Sequence, residues 1–311
     1  MEFFKTTPRI RFMETRKWAY AVSAVLVLGS LLLIGVRGLN LGIDFTGGVT
    51  LEVAYPAAVD LDAARGALIA AGFEEAQVQS FGSSRELMVR VMPPEDEDVN
   101  QVSAEIQSAL RTVDPGAEVR RTEVVGPQVG RDLAEQGGLA MLFTFIMILL
   151  YIAFRFEKKM ALGTVLGAIH DPIVIFGFFA ATQMTFDLSV LAAVLAAIGY
   201  SINDTIVVFD RIRENFVVMR KATPMEVINA SVNQTLSRTL MTSISTLFVV
   251  VALYLFGGEA LKGFSAAIIV GVIVGTYSSV FVAGASVLDM KLTGQDLMPV
   301  KKDDPELNAL P

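Results

Sequence analysis

The sequence contains no cysteine, one histidine and one tryptophan among its 311 residues. The lack of cysteine excludes disulfide bonds, cysteine-ligated zinc and a thiol nucleophile. The motifs of three common enzyme classes are also missing, because no Walker A string, no H-E-x-x-H string and no G-x-S-x-G string occurs. The sequence therefore has no motif for these enzymes or for nucleotide binding, and any energy source must be another subunit or an ion gradient. We expect no enzymatic activity, no cofactor or metal, and no nucleic-acid partner.

Charged residues are scarce at 18% of the chain, whereas 53% of the residues are hydrophobic, above the usual share of about 45–50%. Six apolar runs each approach the roughly 20 residues that a helix needs to cross a bilayer. They cover residues 18–36, 137–154, 161–181, 188–209, 240–256 and 264–285. We therefore predict an α-helical polytopic protein of the lipid bilayer with six transmembrane helices.

The first apolar run, residues 18–36, is interpreted as a retained helix and not as a signal peptide. The apolar core of a signal peptide has only about 7–15 residues and is followed by an A-x-A-like cleavage site. This run is longer, and no such site follows it.

One long soluble segment, residues 37–133, separates the first apolar run from the other five. In this segment, stretches in which apolar and polar residues alternate, as in strands, and stretches with apolar residues at helical spacing occur in the order βαββαβ. This order is typical of a small α+β domain with a ferredoxin-like fold.

Lysine and arginine residues are concentrated in the segments on one side of the predicted bundle, whereas the short loops on the other side contain only Lys262. Because basic loops remain in the cytoplasm, we expect cytoplasmic termini and a periplasmic soluble domain. The predicted segments are an N-terminal segment 1–17, helix 18–36, the periplasmic domain 37–133, helices two to six within 134–285 with a cytoplasmic loop 210–237, and a cytoplasmic tail 286–311.

Polar residues inside the fourth apolar run give the strongest functional signal. Asp204 lies there among Ser201, Asn203 and Thr205. A charged side chain at the centre of a membrane helix costs at least about 2.5–3.5 kcal/mol, so such a residue indicates a functional site. Arg238 enters from the same side at the start of the fifth helix. A carboxylate beside arginine stays ionised, whereas one left in hydrocarbon binds a proton, so we predict that Asp204 and Arg238 form a proton relay.

Plainer interpretations of these polar residues stay open. An Asp–Arg pair can serve only to fasten two helices together, and Arg238 can extend to the membrane surface without touching Asp204. His170 and Asp171, near the middle of the third helix, are candidate supporting residues of the relay. His170 can equally be a hydrogen-bonded residue of the bundle interior, and Pro172 predicts a kink.

A glycine-rich string follows the first helix and contains Gly42, Asp44, Phe45, Thr46, Gly47 and Gly48. Adjacent glycines permit backbone conformations that are closed to other residues, which predicts a tight entry into the first strand. The string lacks the strand-then-helix context of a phosphate-binding loop, so it gives no support to nucleotide binding.

The loop 210–237 contains a capping box, Thr223-Pro224-Met225-Glu226, that predicts the start of a helix. Ile228, Val232 and Leu236 then recur on one face. We expect an interfacial helix that lies in the membrane surface under the bundle, with an ordinary soluble amphipathic helix as the alternative.

Two long strings resemble the signatures of the SecF family of bacterial protein-export membrane subunits. They are G-I-D-F-T-G-G at 42–48 and I-G-Y-S-I-N-D-T-I-V-V-F-D-R-I-R-E-N at 198–215, and S-R-T-L-M-T-S at 237–243 agrees with them. The resemblance extends over essentially the whole chain. It implies half of an RND-type module, in which the six helices pair with six helices of SecD. The basic segment after Met1 favours a separate subunit over part of a fused SecDF chain.

The same resemblance implies a function. Members of the family are thought to assist the SecYEG translocon in the bacterial inner membrane, with YajC as a frequent companion. They use proton flow to pull unfolded preprotein outward, which makes the proton the coupling ion. The family's essential membrane acid and arginine correspond to Asp204 and Arg238.

Two other functions remain as alternatives. A proton-coupled RND-type exporter of small molecules would share the Asp204–Arg238 pair, although it usually has larger external domains. An intramembrane aspartyl protease would use Asp171 and Asp204 as two carboxylates that share one proton. Their estimated depths differ by roughly 7 Å along the membrane normal, which disfavours the protease.

Overall fold

A computed structural model describes residues 8–74, 76–92 and 99–297 of the chain. Residues 1–7 of the predicted N-terminal segment 1–17 and residues 298–311 of the predicted tail 286–311 lie outside the described residues. Within these described ranges, six helical spans are long and apolar enough to cross a membrane. They are α1 (Arg16–Arg37), α5 (Pro127–Arg155), α6 (Lys158–Thr182), α7 (Leu188–Val218), α8 (Pro224–Phe256), and α9 (Glu259–Ser278) continued by a π-helical turn (Ser279–Gly284) and α10 (Ala285–Asp289).

Between α1 and α5 lies a small domain built on one four-stranded antiparallel sheet. Its elements, after a single helical turn α2 (Ile43–Thr46), are β1 (Gly48–Ala54), α3 (Leu61–Ala70), β2 (Gln77–Phe81), β3 (Ser83–Val91), α4 (Val99–Val113) and β4 (Glu118–Val125). The strand order is β2-β3-β1-β4, and all neighbours are antiparallel. The predicted polytopic helical fold with one small α+β domain of βαββαβ order is therefore confirmed.

The alternation of side chains along the strands separates the two faces of this sheet. One face is apolar, and its Leu51 and Val89 are buried against Leu68 of α3 and Ile106 of α4. The other face is polar, with Arg90 paired across the sheet to Thr50. Burial of the apolar face against two helices is the main force that holds such a sheet together.

Helix α8 differs from the sequence-based expectation of a separate interfacial helix. The capping box at Thr223 and Glu226 forms as predicted, but the helix that it starts continues without a break to Phe256. Ile228 and Val232 are fully buried against protein residues such as Phe209 of α7. The prediction of a helix in the membrane surface was wrong, because tertiary packing covers its apolar stripe.

Two asparagines one helical turn apart fasten the segment before α1 to α8. Asn233 accepts a hydrogen bond from the Ile10 backbone N–H at 2.9 Å and donates one to the Ile10 carbonyl at 2.7 Å. Asn229 accepts one from the Met13 N–H at 3.0 Å. Because the Met13 side chain is buried under α8, these bonds hold the first half of α8 against the bundle.

The segment after α10 is held in a similar way. Lys159 donates two hydrogen bonds to the Asp296 carboxylate, at 2.9 and 2.8 Å. These bonds, with those from Thr293, lower the pKa of Asp296 to about 2. The carboxylate is therefore ionised over the physiological range, and the pair stays charged on both sides.

Two spanning helices are irregular at the same depth. Pro172 lies inside α6 and cannot donate a backbone hydrogen bond to the carbonyl one turn earlier. Ser278 ends α9, and the following turn is π-helical. Turns of this kind are uncommon and often occur at functional sites.

Candidate functional site

Asp204 lies on α7 in the interior of the bundle and is only 4% exposed. Thr239 of α8 faces it, and the Thr239 hydroxyl donates to Asp204 Oδ1 at 3.5 Å, which is a long and weak hydrogen bond. Within the described part of the chain, Asp204 Oδ2 has no hydrogen-bond partner. A buried carboxylate with so few hydrogen-bond partners is costly in its ionised form.

Arg238 precedes Thr239 on α8, and its side chain is exposed. The described residues contain no ion pair between Arg238 and Asp204, and Asp204 Oδ2 has no hydrogen-bond partner among them. The structure therefore brings Thr239, which sequence analysis missed, closer to Asp204 than the predicted partner Arg238. The available signal for Thr239 was its position beside Arg238 in a hydroxyl-rich string.

His170 and Asp171 form a second polar centre among α6, α7 and α9. The Asp171 carboxylate is 1% exposed and accepts hydrogen bonds from Ser201 and from Ser278, the latter at 2.8 Å. Asp171 Oδ1 lies 2.8 Å from His170 Nδ1. The predicted supporting residues His170, Asp171 and Ser201 are thus brought together, and Ser278 joins them from a part of the sequence that gave no signal.

The remaining predicted polar residues of α7 have different surroundings. Thr205 is buried and donates to the Ser201 carbonyl of its own helix at 3.2 Å. Asn203 is exposed on the opposite side of α7. Ser201 itself packs closely on Gly275 of α9, where an added Cβ would come within 2.8 Å of the Ser201 Cβ.

The two carboxylates do not form the dyad of an aspartyl protease. Both oxygens of Asp171 are occupied by Ser201, Ser278 and His170, whereas Asp204 is bonded to Thr239. A protease dyad requires two carboxylates that share one proton. Among the described residues there is also no group of three or more His, Asp or Glu that could hold a metal ion.

The glycine-rich string at 42–48 connects the small domain to the start of α7. Asp44 Oδ2 accepts a hydrogen bond from the Leu188 backbone N–H at 3.0 Å, which is one of the unpaired donors at the helix N-terminus. The Gly42 N–H donates to the Phe186 carbonyl at 2.8 Å, and Phe45 stacks on the Phe186 ring. These contacts hold the string at 42–48 against the N-terminal end of α7, the helix that carries Asp204.

Gly47 and Gly48 occupy the tightest part of this connection, and both have positive φ, +73° and +122°. A Cβ on Gly47 would lie 2.8 Å from the Pro127 Cα at the start of α5, and one on Gly48 would lie 2.7 Å from the Val91 carbonyl oxygen. Only glycine fits such positions without strain. Thr46 completes the turn by donating from its hydroxyl to the Gly47 carbonyl at 2.9 Å.

Arg90 of β3 fixes the polar face of the sheet to the loop before α7. Its guanidinium donates to the Leu41 carbonyl at 2.7 Å and contacts Thr185. Burial lowers the pKa of Arg90, and the nearby Asp187 and Asp44 carboxylates oppose that shift. The side chain is 8% exposed and lines a cleft of about 400 Å³ between the sheet and the ends of the spanning helices.

We expect Asp44→Ala to uncouple the small domain from α7. Asp187 is the N-cap of α7, and Asp44 accepts from a second N–H of the same helix end. Loss of such a hydrogen bond costs about 0.5–2 kcal/mol, which would lower the thermal unfolding midpoint of the purified protein. Asp60→Ala is the matched control, because Asp60 caps α3 through the Asp62 N–H far from this connection. Both variants should lose similar stability, and only Asp44→Ala should speed proteolysis at the start of α7. Equal proteolysis at that site in the two variants would contradict a coupling role for Asp44.

Comparison with known proteins gives a consistent result. The family described as "Protein export membrane protein SecD/SecF, C-terminal" matches residues 105–293. A second family description, "SecD/SecF GG Motif", matches residues 32–55, which include the string at 42–48.

Relatives match over nearly their whole length. The protein translocase subunit SecF of Pseudomonas aeruginosa is 49% identical over 297 residues, which cover 95% of this chain and 96% of the relative. The subunit of the same name from Vibrio alginolyticus is 45% identical over 313 residues, covering 100% and 99%.

A solved structure supports the same relationship. The crystal structure of SecDF, a translocon-associated membrane protein from Thermus thermophilus, superposes with a TM-score of 0.84 at 36% identity. The match covers 93% of this chain and 40% of the SecDF chain.

Proposed function

Because this chain belongs to the SecF family of protein translocase subunits, we propose that it acts with SecD to couple proton flow to the export of preproteins through SecYEG. The observation that carries this proposal is the buried Asp204 carboxylate, with one weak hydrogen bond and one oxygen without a partner among the described residues. An ionisable side chain in a membrane-spanning helix commonly marks a proton path.

The proposed cycle uses two states of Asp204. In one state the carboxyl group carries a proton and stays in the apolar interior, and in the other it is ionised and paired with Arg238. A carboxylate near a guanidinium favours the charged form, so each approach and departure of Arg238 would release and rebind one proton. Protons are thus the coupling ion, and no cofactor takes part.

The movement that accompanies this cycle has a direct route to the small domain. Asp204 lies about 24 Å along α7 from Leu188, and the Leu188 N–H is held by Asp44 next to β1. A shift or rotation of α7 would therefore reach the sheet through the string at 42–48. We propose that the small domain, with that of SecD, holds and releases unfolded preprotein on the outer side.

SecD is the proposed partner for an exposed polar surface on α7 and α8. Several polar side chains in these spanning helices face outward, among them Asn203, Arg238, Thr242 and Ser245. Contact with lipid would be costly for them, whereas a second helical module could provide hydrogen-bond partners. SecYEG and YajC complete the proposed assembly in the bacterial inner membrane, with both termini cytoplasmic and the small domain periplasmic.

The test of this function is preprotein translocation into vesicles that contain SecYEG and the SecD–SecF complex. We expect the complex to add a component of transport that disappears when a protonophore collapses the proton gradient and ATP is kept constant. A contribution of the complex that persists unchanged after collapse of the gradient would refute proton coupling.

Arg238→Lys should remove proton-driven transport although it keeps the positive charge. Lysine presents a compact ammonium, whereas arginine presents a planar fork that can bind both oxygens of a carboxylate. The control is Arg211→Lys, because Arg211 forms an exposed ion pair with Glu214 at 2.8 Å and has no place in the relay. Wild-type transport by Arg238→Lys would show that the guanidinium geometry is unimportant.

A further inference from the structure

The pair formed by His170 and Asp171 has a free proton-accepting position. His170 Nδ1 and Asp171 Oδ1 are 2.8 Å apart, and the tautomer with its proton on Nδ1 donates a hydrogen bond to the carboxylate. The other ring nitrogen, His170 Nε2, is buried and has no hydrogen-bond partner in the described part of the chain. The whole residue is 5% exposed. Since the second nitrogen of a neutral imidazole is a proton acceptor, Nε2 is the position at which this pair can gain a charge.

A proton at that position would change the net charge of the pair. Asp171 accepts bonds from two serine hydroxyls and one imidazole, an arrangement that suits a carboxylate. A buried charge is costly unless it is paired. A proton on Nε2 makes the ring an imidazolium and the pair neutral, and its loss leaves one net negative charge. No other bond forms or breaks in this step.

The net charge of the His170–Asp171 pair lies close to Asp204. Ser201, which donates to Asp171, precedes Asp204 by three residues on α7, or about 4.5 Å along the helix axis. A net negative charge at the pair therefore favours a proton on Asp204, and a neutral pair disfavours it. Protons on the two centres compete.

A cavity leads from His170 toward the start of α1 and the end of α10. It has a volume of about 630 Å³ and lies between α1, α6 and α10, with Tyr20, Leu166, His170, Ser286 and Asp289 among its lining residues. Its walls are mostly apolar, and Asp289 at its outer end is paired with Arg16 at 3.0 Å. Water in this cavity, together with a small rotation of the ring that exposes the buried Nε2, would carry a proton to or from His170 without crossing Asp204.

We propose that His170 is a second proton-binding site of this protein, loaded through Nε2 from this cavity, and that its proton controls whether Asp204 holds its own. The site extends the function proposed above and rests on it. The titratable and charged groups around His170 on the packed elements are Asp171 of α6, Asp204 of α7, Tyr277 of α9, Tyr20 of α1 and Asp289 of α10.

The pair also has mechanical consequences, because its bonds join three helices. Ser201 is on α7, and Ser278 lies where α9 passes into the π-helical turn. Pro172 follows Asp171 directly on α6. A change of charge at the pair therefore acts where two helices already lack regular hydrogen bonding and deform most easily.

The first experiment observes His170 directly, since it is the only histidine of the chain. The full chain is labelled with 15N-histidine, purified by a tag without histidine, and combined with unlabelled SecD in a bilayer for solid-state NMR. We expect the imidazole signal to change from imidazolium to neutral within the pH range over which the complex stays folded. In Asp204→Asn the change should move to lower pH, because a negative charge that favours the imidazolium is gone.

Asp210→Asn is the control, because it is the same substitution on the same helix at an ion pair with Arg155. It should leave the histidine signal as in the wild type. An imidazole that keeps one form over the whole pH range overturns the proposal. A change that is identical in wild type and Asp204→Asn overturns the competition between the two sites.

The second experiment measures proton flux through the SecD–SecF complex with His170→Gln. Glutamine can still donate a hydrogen bond to Asp171 but cannot bind a proton, so a purely structural histidine would be replaced with little effect. We expect a severalfold lower flux and a flattened pH profile. If Asp204→Asn abolishes flux and His170→Gln matches the wild type in flux and pH profile, the relay stands and the second site fails. If Asp204→Asn retains full flux, the relay function fails.

Discussion

We expect Asp204→Asn to abolish proton-driven translocation while the protein still folds and assembles with SecD. Asparagine has nearly the same shape as aspartate and keeps an oxygen that can accept the Thr239 hydrogen bond. It cannot bind or release a proton, so the proposed cycle stops in one state. The measurement is the protonophore-sensitive part of preprotein transport in vesicles, which should fall to the level seen without the SecD–SecF complex.

The matched control for this variant is Asp210→Asn, six residues further along α7. Asp210 forms an ion pair with Arg155 at 2.5 Å, and the two side chains are 38% and 33% exposed. Such a pair contributes only about 0–1 kcal/mol. Transport should therefore persist in Asp210→Asn. Undiminished proton-driven transport by Asp204→Asn, with equal amounts of both proteins in the vesicles, would exclude Asp204 as the relay group.

The second large effect is expected from Gly48→Ala, at the connection between the small domain and the spanning helices. Gly48 has φ of +122°, and an alanine Cβ would lie 2.7 Å from the Val91 carbonyl oxygen of the neighbouring strand. The backbone conformation and the overlap together should cost about 2–4 kcal/mol. We expect a lower thermal unfolding midpoint and faster proteolysis within the small domain.

Gly126→Ala provides the control for this substitution. Gly126 immediately precedes α5 and has a φ of −62° that any residue adopts. The described residues leave open space around the position that an alanine methyl group would take there. Alanine should leave the unfolding midpoint unchanged or raise it slightly, because it restricts the unfolded chain. Equal stability of Gly48→Ala and Gly126→Ala would mean that the backbone near Gly48 relaxes without cost.

Both variants act on the same path through the molecule. Asp204 lies on α7 near the polar centre of the bundle, and Asp44 holds the other end of that helix next to Gly48 and β1. Gly48→Ala should therefore lower export more than its loss of stability alone would, whereas Asp204→Asn should lower export without any loss of stability. Comparing the loss of export with the loss of stability in each variant separates the effect of the proton step from the effect of transmitting movement to the small domain.

The six spanning helices and the βαββαβ domain could be predicted from the sequence by itself. Runs of apolar residues have few alternatives to a membrane helix, and strands with one buried face show their period of two directly. The strings at 42–48 and 198–215 also pointed to the family, because they are long and occur in the correct order. Local pattern was sufficient for these features, since each depends on residues that are close in the chain.

Only the tertiary structure decided how the polar residues meet. Ser278 and Asp171 are 107 residues apart in the chain. Thr239 of α8 contacts Asp204 of the neighbouring helix α7. No local sequence pattern could predict either contact. The sequence likewise could not predict that α8 is uninterrupted, because the apolar stripe at Ile228 fits a membrane surface as well as a protein interior. Which surface buries a stripe, and which hydroxyl reaches a carboxylate, depends on helix packing, and packing is the sum of contacts made far along the chain.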